Sequence, residues 1–231
     1  MFRPRKTYDR KEVKYDDRDW ERFRSFRDRT RAILESLSLY NINGLAHGSV
    51  ARGDVNKDSD IDIIVPYHFS TFRVEVALEE SGFNILDRSI VIATPWQLPK
   101  AHIQLEEDVM VTIPLEKPKI SEDDFYFFGG AVSLKQIEKN KRVAGIDKRL
   151  VLIEPTEYGH IESQVVGREG EVAKKLGISI EIVEERVDVL TRRDQVGKTG
   201  IFLDRKLTPD ESFESVWSKI KKENPEVSKR H

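Results

Sequence analysis

The chain has 231 residues, 35% of them charged and 38% hydrophobic, with a formal net charge of −2. That balance excludes a disordered chain and a protein that coats nucleic acid through bulk charge, and it leaves room for one or two soluble globular domains. With no cysteine, disulfides and thiolate metal sites are excluded as well, and a reducing compartment fits best.

No run is apolar and long enough to span a bilayer, and MFRPRKTYDRKEVKYDD lacks the apolar core of a signal peptide. The cytoplasm is the expected location, with no membrane contact. Abundant Glu, Lys and Arg beside 2 Met also accord with a thermophile.

Residues 1–16 mix charges without apolar spacing and read as a flexible or loosely docked arm. From Asp17 a helical period begins, with Trp20, Phe23, Phe26, Ile33 and Leu34 on one stripe, and Asn41 to Gly44 breaks it. A short strand follows at Leu45–His47, then a turn and a second strand through Ile61–Val65. Phe72–Glu80 predicts a helix closed by Ser81-Gly82, and Ser89–Thr94 and His102–Ile113 predict two strands. Leu115–Asp124 reads as a boundary loop. Beyond it, RLVLIEP predicts a strand, GREGEVAKKLGISIEIVEER two helices, and Val196–Leu203 a hairpin. A last amphipathic helix carries Phe213, Val216, Trp217 and Ile220, and the tail NPEVSKRH should fray.

Chemistry concentrates in GSVARGDVNKDSDIDIIV, Gly48 to Val65. Alternation on a strand puts Asp60 and Asp62 on one face and Ile61, Ile63 and Val65 on the other. Two neighbouring carboxylates repel unless a cation lies between them, and Mg²⁺ (or Mn²⁺) takes such oxygen ligands while keeping waters and substrate phosphates for the rest. Gly48-Ser49 ends a strand, and the VARGD segment can begin a helical turn whose first N–H groups suit a phosphate. Arg52 offers a forked cation nearby, for the turn or for a phosphate.

This order, G-S-x-A-R-G-x(5)-S-D-I-D, resembles the signature of the polymerase-beta-like nucleotidyltransferase superfamily. It is most similar to the minimal nucleotidyltransferases and more loosely to archaeal CCA-adding enzymes. The resemblance implies a small mixed-sheet fold over residues 17–118 in which Gly48 and Ser49 hold a triphosphate while Asp60 and Asp62 hold Mg²⁺. It also implies a third carboxylate on a later strand. In HIQLEEDVMVTIPL, Thr112 stands where that acid is expected. Asp108 is the candidate replacement, on the assumption that both residues lie on one strand and a bulge brings Asp108 level.

In the second half, Ala173, Gly177, Ser179 and Val183 carry the spacing of a helix-turn-helix, and the Val196–Leu203 hairpin would be the wing of a winged helix. A KH module is the alternative, because VVGREG holds a G-x-x-G loop and ISIEIV could be the following strand. The second helix would point Glu181, Glu184, Glu185 and Asp188 at a duplex. Carboxylates there repel the polyanion, so sequence-specific DNA binding is not expected. Arg192, Arg193, Lys198, Arg205 and Lys206 cluster around the wing. Lys135, Lys139, Lys141, Arg142, Lys148 and Arg149 form the densest basic run, and Phe125–Phe128 an aromatic one.

The sequence thus predicts an α+β protein with an arm (1–16), a nucleotidyltransferase domain (17–118), a connecting segment (119–150) and a winged-helix-like domain (151–231). The expected reaction moves a nucleoside monophosphate from an NTP to a hydroxyl of RNA, protein or a small molecule. Two rival readings remain: a non-catalytic regulator that keeps the fold for binding, and a nucleic-acid-binding protein acting through its C-terminal part.

Overall fold

A computed structural model describes residues 10–196 and 200–227. In chain order the elements are β1 (Lys11–Lys14), α1 (Asp17–Leu39), β2 (Leu45–His47), α2 (Ser49–Arg52), β3 (Ile61–Ile64), α3 (Thr71–Glu80), β4 (Asp87–Ile92), β5 (Lys100–Glu106), β6 (Val109–Pro114), α4 (Ile120–Phe128), β7 (Ala131–Ser133), α5 (Leu134–Glu138), β8 (Gly145–Ile146), β9 (Val151–Thr156), β10 (Gly159–Gln164), α6 (Glu169–Leu176), α7 (Ile180–Val196), β11 (Leu203–Lys206) and α8 (Phe213–Glu223). This is a mixed α+β architecture. The contacts divide it into two units: Met1–Arg31, Ala46–Ile61 and Lys119–Thr199 form the first, and Ala32–Leu45, Asp62–Pro118 and Gly200–His231 form the second.

In the first unit an antiparallel sheet has the order β1-β10-β9-β8. Part of the expected arm is therefore a strand. Lys11–Lys14 pairs with Gly159–Glu162, and the Tyr15 hydroxyl and His160 Nδ1 share a hydrogen bond of 2.7 Å. Pairing satisfies the edge N–H and C=O groups of β10, which would otherwise stay open, and that explains why so polar a segment is ordered. Residues 1–9 lie outside the described residues.

Helices α4, α6 and α7 share a core with β8 and β9, built from Phe128, Ile146, Leu152, Val172, Ala173 and Val183 among others. Between α6 and α7, Gly177 takes a left-handed φ of 69°, and the N–H of Ser179 is accepted by Asp124 Oδ2 at 3.0 Å. The segment ISIEIV is helical from Ile180, where a KH module would need a strand.

In the second unit the strand order is β11-β4-β5-β6-β3. Ile63, Ile90, Ile92, Ala101, Ile103, Val111 and Ile113 are all fully buried, and polar residues alternate with them, so the sheet has one apolar and one mixed face. Ser70 caps α3 by accepting the N–H of Arg73, and Thr71 donates its hydroxyl to Glu214 of α8 at 2.7 Å.

One expectation fails here. The strand expected over His102–Ile113 is a hairpin, β5 and β6 joined through Glu107-Asp108. A twelve-residue strand would carry Glu106, Glu107 and Asp108 through its middle, and the chain instead turns at that charged run. Asp108 therefore sits in the turn, and the single-strand parity that related it to Thr112 does not exist.

The hairpin expected at Val196–Leu203 falls partly on residues that are not described, 197–199, and the following strand, β11, pairs antiparallel with β4. The edge of β4 offers unpaired backbone groups that β11 satisfies, while Lys206 meets Asp87 at 2.6 Å and Arg205 meets Glu211 at 2.7 Å. In α8, Phe213, Val216, Trp217 and Ile220 are buried as their spacing predicts, and so is Val227, within the tail expected to fray.

Candidate functional site

The Gly-Ser turn is built on backbone that only glycine adopts comfortably. Gly48 has φ 75° and ψ −140°, and a Cβ added there would meet nothing within 4 Å. Its N–H donates to Gly130 O at 3.0 Å, and its carbonyl accepts the N–H groups of Ala51 and Arg52 at 3.0 and 3.1 Å. The result is a single turn of helix, α2, that starts with the half-exposed Ser49 and ends at Gly53 with φ 102°.

Two arginines hold this turn from inside. Arg52 is 5% exposed; it donates from Nε and Nη2 to both oxygens of Asp54 at 2.9 and 3.0 Å, and from Nη1 to Gly129 O at 2.6 Å. Of its two candidate roles, supporting the turn or meeting a phosphate, this geometry matches the first. Arg27, 6% exposed, donates to Val50 O at 2.8 Å, Ala51 O at 3.2 Å and Lys141 O at 2.9 Å. Burial, with help from Arg142, pushes its guanidinium down to about 10, so it stays charged at neutral pH.

Beneath the turn the backbone is crowded. A Cβ at Gly145 would fall 2.5 Å from Gly129 C and Gly130 N, and one at Gly129 would fall 2.5 Å from His47 Nε2. Asp54, Arg27, Gly129 and Gly145 are thus structural supports of the turn that pattern reading missed. Only the GG dipeptide signalled a special backbone.

The loop after Gly53 is tied by short bonds. Asn56 N–H donates to Ser59 Oγ at 2.9 Å, and Asp58 N–H to Asn56 Oδ1 at 2.8 Å. This delivers Asp60 immediately before β3. Asp60, immediately before β3, and Asp62, within it, are both exposed on either side of Ile61, which is fully buried like Ile63. As donors they fit a hard divalent cation that completes its shell with water and phosphate oxygens.

Gly48, Ser49, Arg52 and Asp60 belong to the first unit, and Asp62, Asp108 and Thr112 to the second. Thr112 lies in the β5–β6 ladder across from His102, and Asp108 in the turn four residues before it. Among the described residues, no group of three or more His, Asp or Glu side chains is arranged to hold a metal.

The nucleotidyltransferase domain family matches residues 27–196, well over half of the chain. The chain belongs to this family. The match begins inside α1, contains the whole Gly48–Asp62 stretch and ends with α7. Transfer of a nucleoside monophosphate is the reaction class that goes with it. No curated protein and no solved structure matched the chain.

Other sequence candidates divide by exposure. Lys135, Lys139, Lys141 and Lys148 of the basic run are exposed, whereas Arg142 donates to the carbonyls of Thr156 and Gly159, and Arg149 to Asp147 and Glu162. Tyr126 and Phe128 are buried, Phe125 lies 5.0 Å from the Arg186 guanidinium, and Phe127 alone of the four is exposed. Glu181, Glu184, Glu185 and Asp188 are exposed along α7, as are Arg192 and Arg193. Lys198 lies outside the described residues. No helix among the described residues is long and apolar enough to cross a membrane.

Proposed function

We propose that the chain transfers a nucleoside monophosphate from an NTP to a hydroxyl acceptor, with pyrophosphate leaving. The observation that carries this is the pair of exposed carboxylates, Asp60 and Asp62, flanking a buried isoleucine just downstream of a glycine-dependent turn in a chain of the nucleotidyltransferase family. Asp60 and Asp62 hold the divalent ion, Ser49 offers its N–H and hydroxyl to the triphosphate, and Gly48, with no side chain, lets the phosphate approach. Arg52, Asp54 and Arg27 keep that turn rigid. Mg²⁺, when bound, neutralises the developing charge on the phosphoryl oxygens and lowers the barrier to displacement. The carboxylates orient it, and the open space above Gly48 admits a phosphate where any side chain would obstruct it.

The exposed carboxylates of α7 argue against a duplex acceptor, because they repel a polyanion. An RNA guided by Lys135, Lys139, Lys141 and Lys148, or a protein, fits better. A non-catalytic regulator is the second reading, favoured by Thr112 in the ladder and Asp108 in the turn.

Incubation with α-labelled NTPs, Mg²⁺ and a cell extract separates the two. Enzyme activity predicts label on a discrete acceptor with the native chain and none with Asp60→Ala. Equal labelling with both would remove Asp60 from the chemistry.

A further inference from the structure

A third arginine abuts the Gly48 turn. Arg142 follows Lys141, whose carbonyl accepts from Arg27 Nη2 at 2.9 Å, and precedes Val143, whose N–H donates to Ala51 O at 3.2 Å. The segment 141–143 is thereby laid along α2. The Arg142 stem fills the space beside Gly53, where a Cβ would fall 2.5 Å from Arg142 Cδ and 3.5 Å from Cγ. Glycine is therefore required at 53 twice over, by this stem and by a φ of 102°. Gly53 in turn donates its N–H to Ser49 O at 2.7 Å. Within this single helical turn, one contact and one hydrogen bond link the Arg142 stem to Ser49.

The head of the side chain is fixed independently. Its guanidinium donates to Gly159 O at 2.9 Å and to Thr156 O, on the two sides of the turn between β9 and β10. Three rings surround it, Trp20 at 4.9 Å and Tyr15 and Phe23 at 5.9 Å, and Trp20 meets each of the other two edge-on. Carbonyl oxygens and ring faces both attract a cation that has lost part of its hydration. Arg142 is thus held at its head and pressed against Gly53 by its stem. All of these residues belong to the first unit.

We propose that Arg142 is a positioning residue for the triphosphate: it fixes Gly53 and, through the Gly53–Ser49 hydrogen bond, the direction of the Ser49 N–H and hydroxyl. This rests on the nucleotidyl-transfer reading above. Arg142 acts through the turn and does not touch the nucleotide. Arg27 and Arg52 tie the turn by hydrogen bonds, whereas Arg142 limits it by contact at the residue that lacks a Cβ. A displacement of about 1 Å in such a support can cost about 10²-fold at the site it serves.

The test compares Mg²⁺–ATP affinity of the full native chain, by calorimetry well below its melting temperature, with that of Arg142→Ala, Arg142→Lys and Arg149→Ala. Arg149 is the control, half-buried like Arg142 and in the same unit, with its head held by Asp147 and Glu162. Arg142→Ala should bind at least about tenfold more weakly, and Arg142→Lys, which keeps a stem beside Gly53 and a cation for one carbonyl, should return to within about threefold. Arg149→Ala should bind like the native chain while melting at a lower temperature. Native affinity in Arg142→Ala, an Arg142→Lys no better than Arg142→Ala, or an Arg149→Ala weakened as much as Arg142→Ala overturns the proposal.

A second readout needs no nucleotide. The amides of Ala51, Arg52 and Gly53, bonded to the Gly48 and Ser49 carbonyls, should exchange with deuterium at least about tenfold faster in Arg142→Ala than in the native chain, and at the native rate in Arg149→Ala. Native exchange rates in Arg142→Ala overturn the proposal. Should Arg142→Ala not fold, Gly53→Ala carries the test from the other side, because its Cβ must push the stem away, and native affinity there overturns the proposal as well. A native chain that binds Mg²⁺–ATP no better than Arg142→Ala does, with both binding, overturns this proposal alone. A native chain that binds no Mg²⁺–ATP overturns the nucleotidyl-transfer reading and this proposal with it.

Discussion

Replacing Arg52 with methionine tests whether this arginine is a support or a ligand. Its guanidinium and the Asp54 carboxylate are nearly enclosed, with side chains 7% and 12% exposed, and their two bonds of 2.9 and 3.0 Å form a fork. Removing one partner of such a pair leaves the other charge uncompensated, at about 3–5 kcal/mol. The Gly129 carbonyl loses its 2.6 Å donor in the same step. At about 2–4 °C per kcal/mol for a chain of this size, the melting temperature should fall by roughly 6–20 °C. Asp54→Leu alone should lose a comparable amount. The double variant Arg52→Met/Asp54→Leu should lose clearly less than the sum of the two singles, because neither charge is stranded. Urea unfolding followed by circular dichroism measures all three. A loss under about 1 kcal/mol for Arg52→Met would refute the reasoning, since that is the range of a solvated pair. So would unchanged stability with ATP affinity about 100-fold weaker, which would make Arg52 a phosphate ligand.

Gly48→Ala should lose about 1–3 kcal/mol from backbone strain alone, since φ is 75° and the space beyond is open; an unchanged melting temperature would contradict this. Gly145→Ala should lose more than Gly48→Ala, because its Cβ would meet backbone atoms at 2.5 Å, and a smaller loss would mean that the layer under the turn yields. Stability should also depend on pH through His102, whose proton affinity drops from 6.5 in the unfolded chain to about 4 in the fold. The unfolded chain binds the extra proton between those values, so this contribution is complete above pH 6.5 and is lost as pH falls toward 4. It amounts to at most about 3 kcal/mol. His102→Gln should flatten the pH dependence of the urea midpoint between pH 4.5 and 7, and equal slopes for variant and native chain would count against it.

Features that depend on neighbours in sequence were legible from it. Alternation through Asp60-Ile61-Asp62-Ile63 identifies both faces of β3, and the apolar period identifies α1 and α8. Gly177 marks the turn between α6 and α7 because a left-handed residue there favours glycine. What depends on distant partners was not legible. Leu203–Lys206 pairs with the edge of β4, a strand far away in sequence that no local pattern announces. Arg27 sits among other charged residues on α1 and reads as a solvated helix face, while its partners are carbonyls more than twenty residues away. Glu106-Glu107-Asp108 carries no glycine or proline to announce a turn, so β5 and β6 read as one strand. The position of Asp108 was misjudged with them.

The central claim is that Asp60 and Asp62 share a divalent ion with a nucleotide held at the Gly48 turn. Calorimetric titration of ATP into the native chain, with and without Mg²⁺, tests it most directly, repeated with Asp60→Ala and Asp62→Asn. The account predicts binding that requires Mg²⁺ and weakens at least about tenfold in each variant, a difference of about 1.4 kcal/mol. Binding that is indifferent to Mg²⁺, or as tight in both variants as in the native chain, would contradict it.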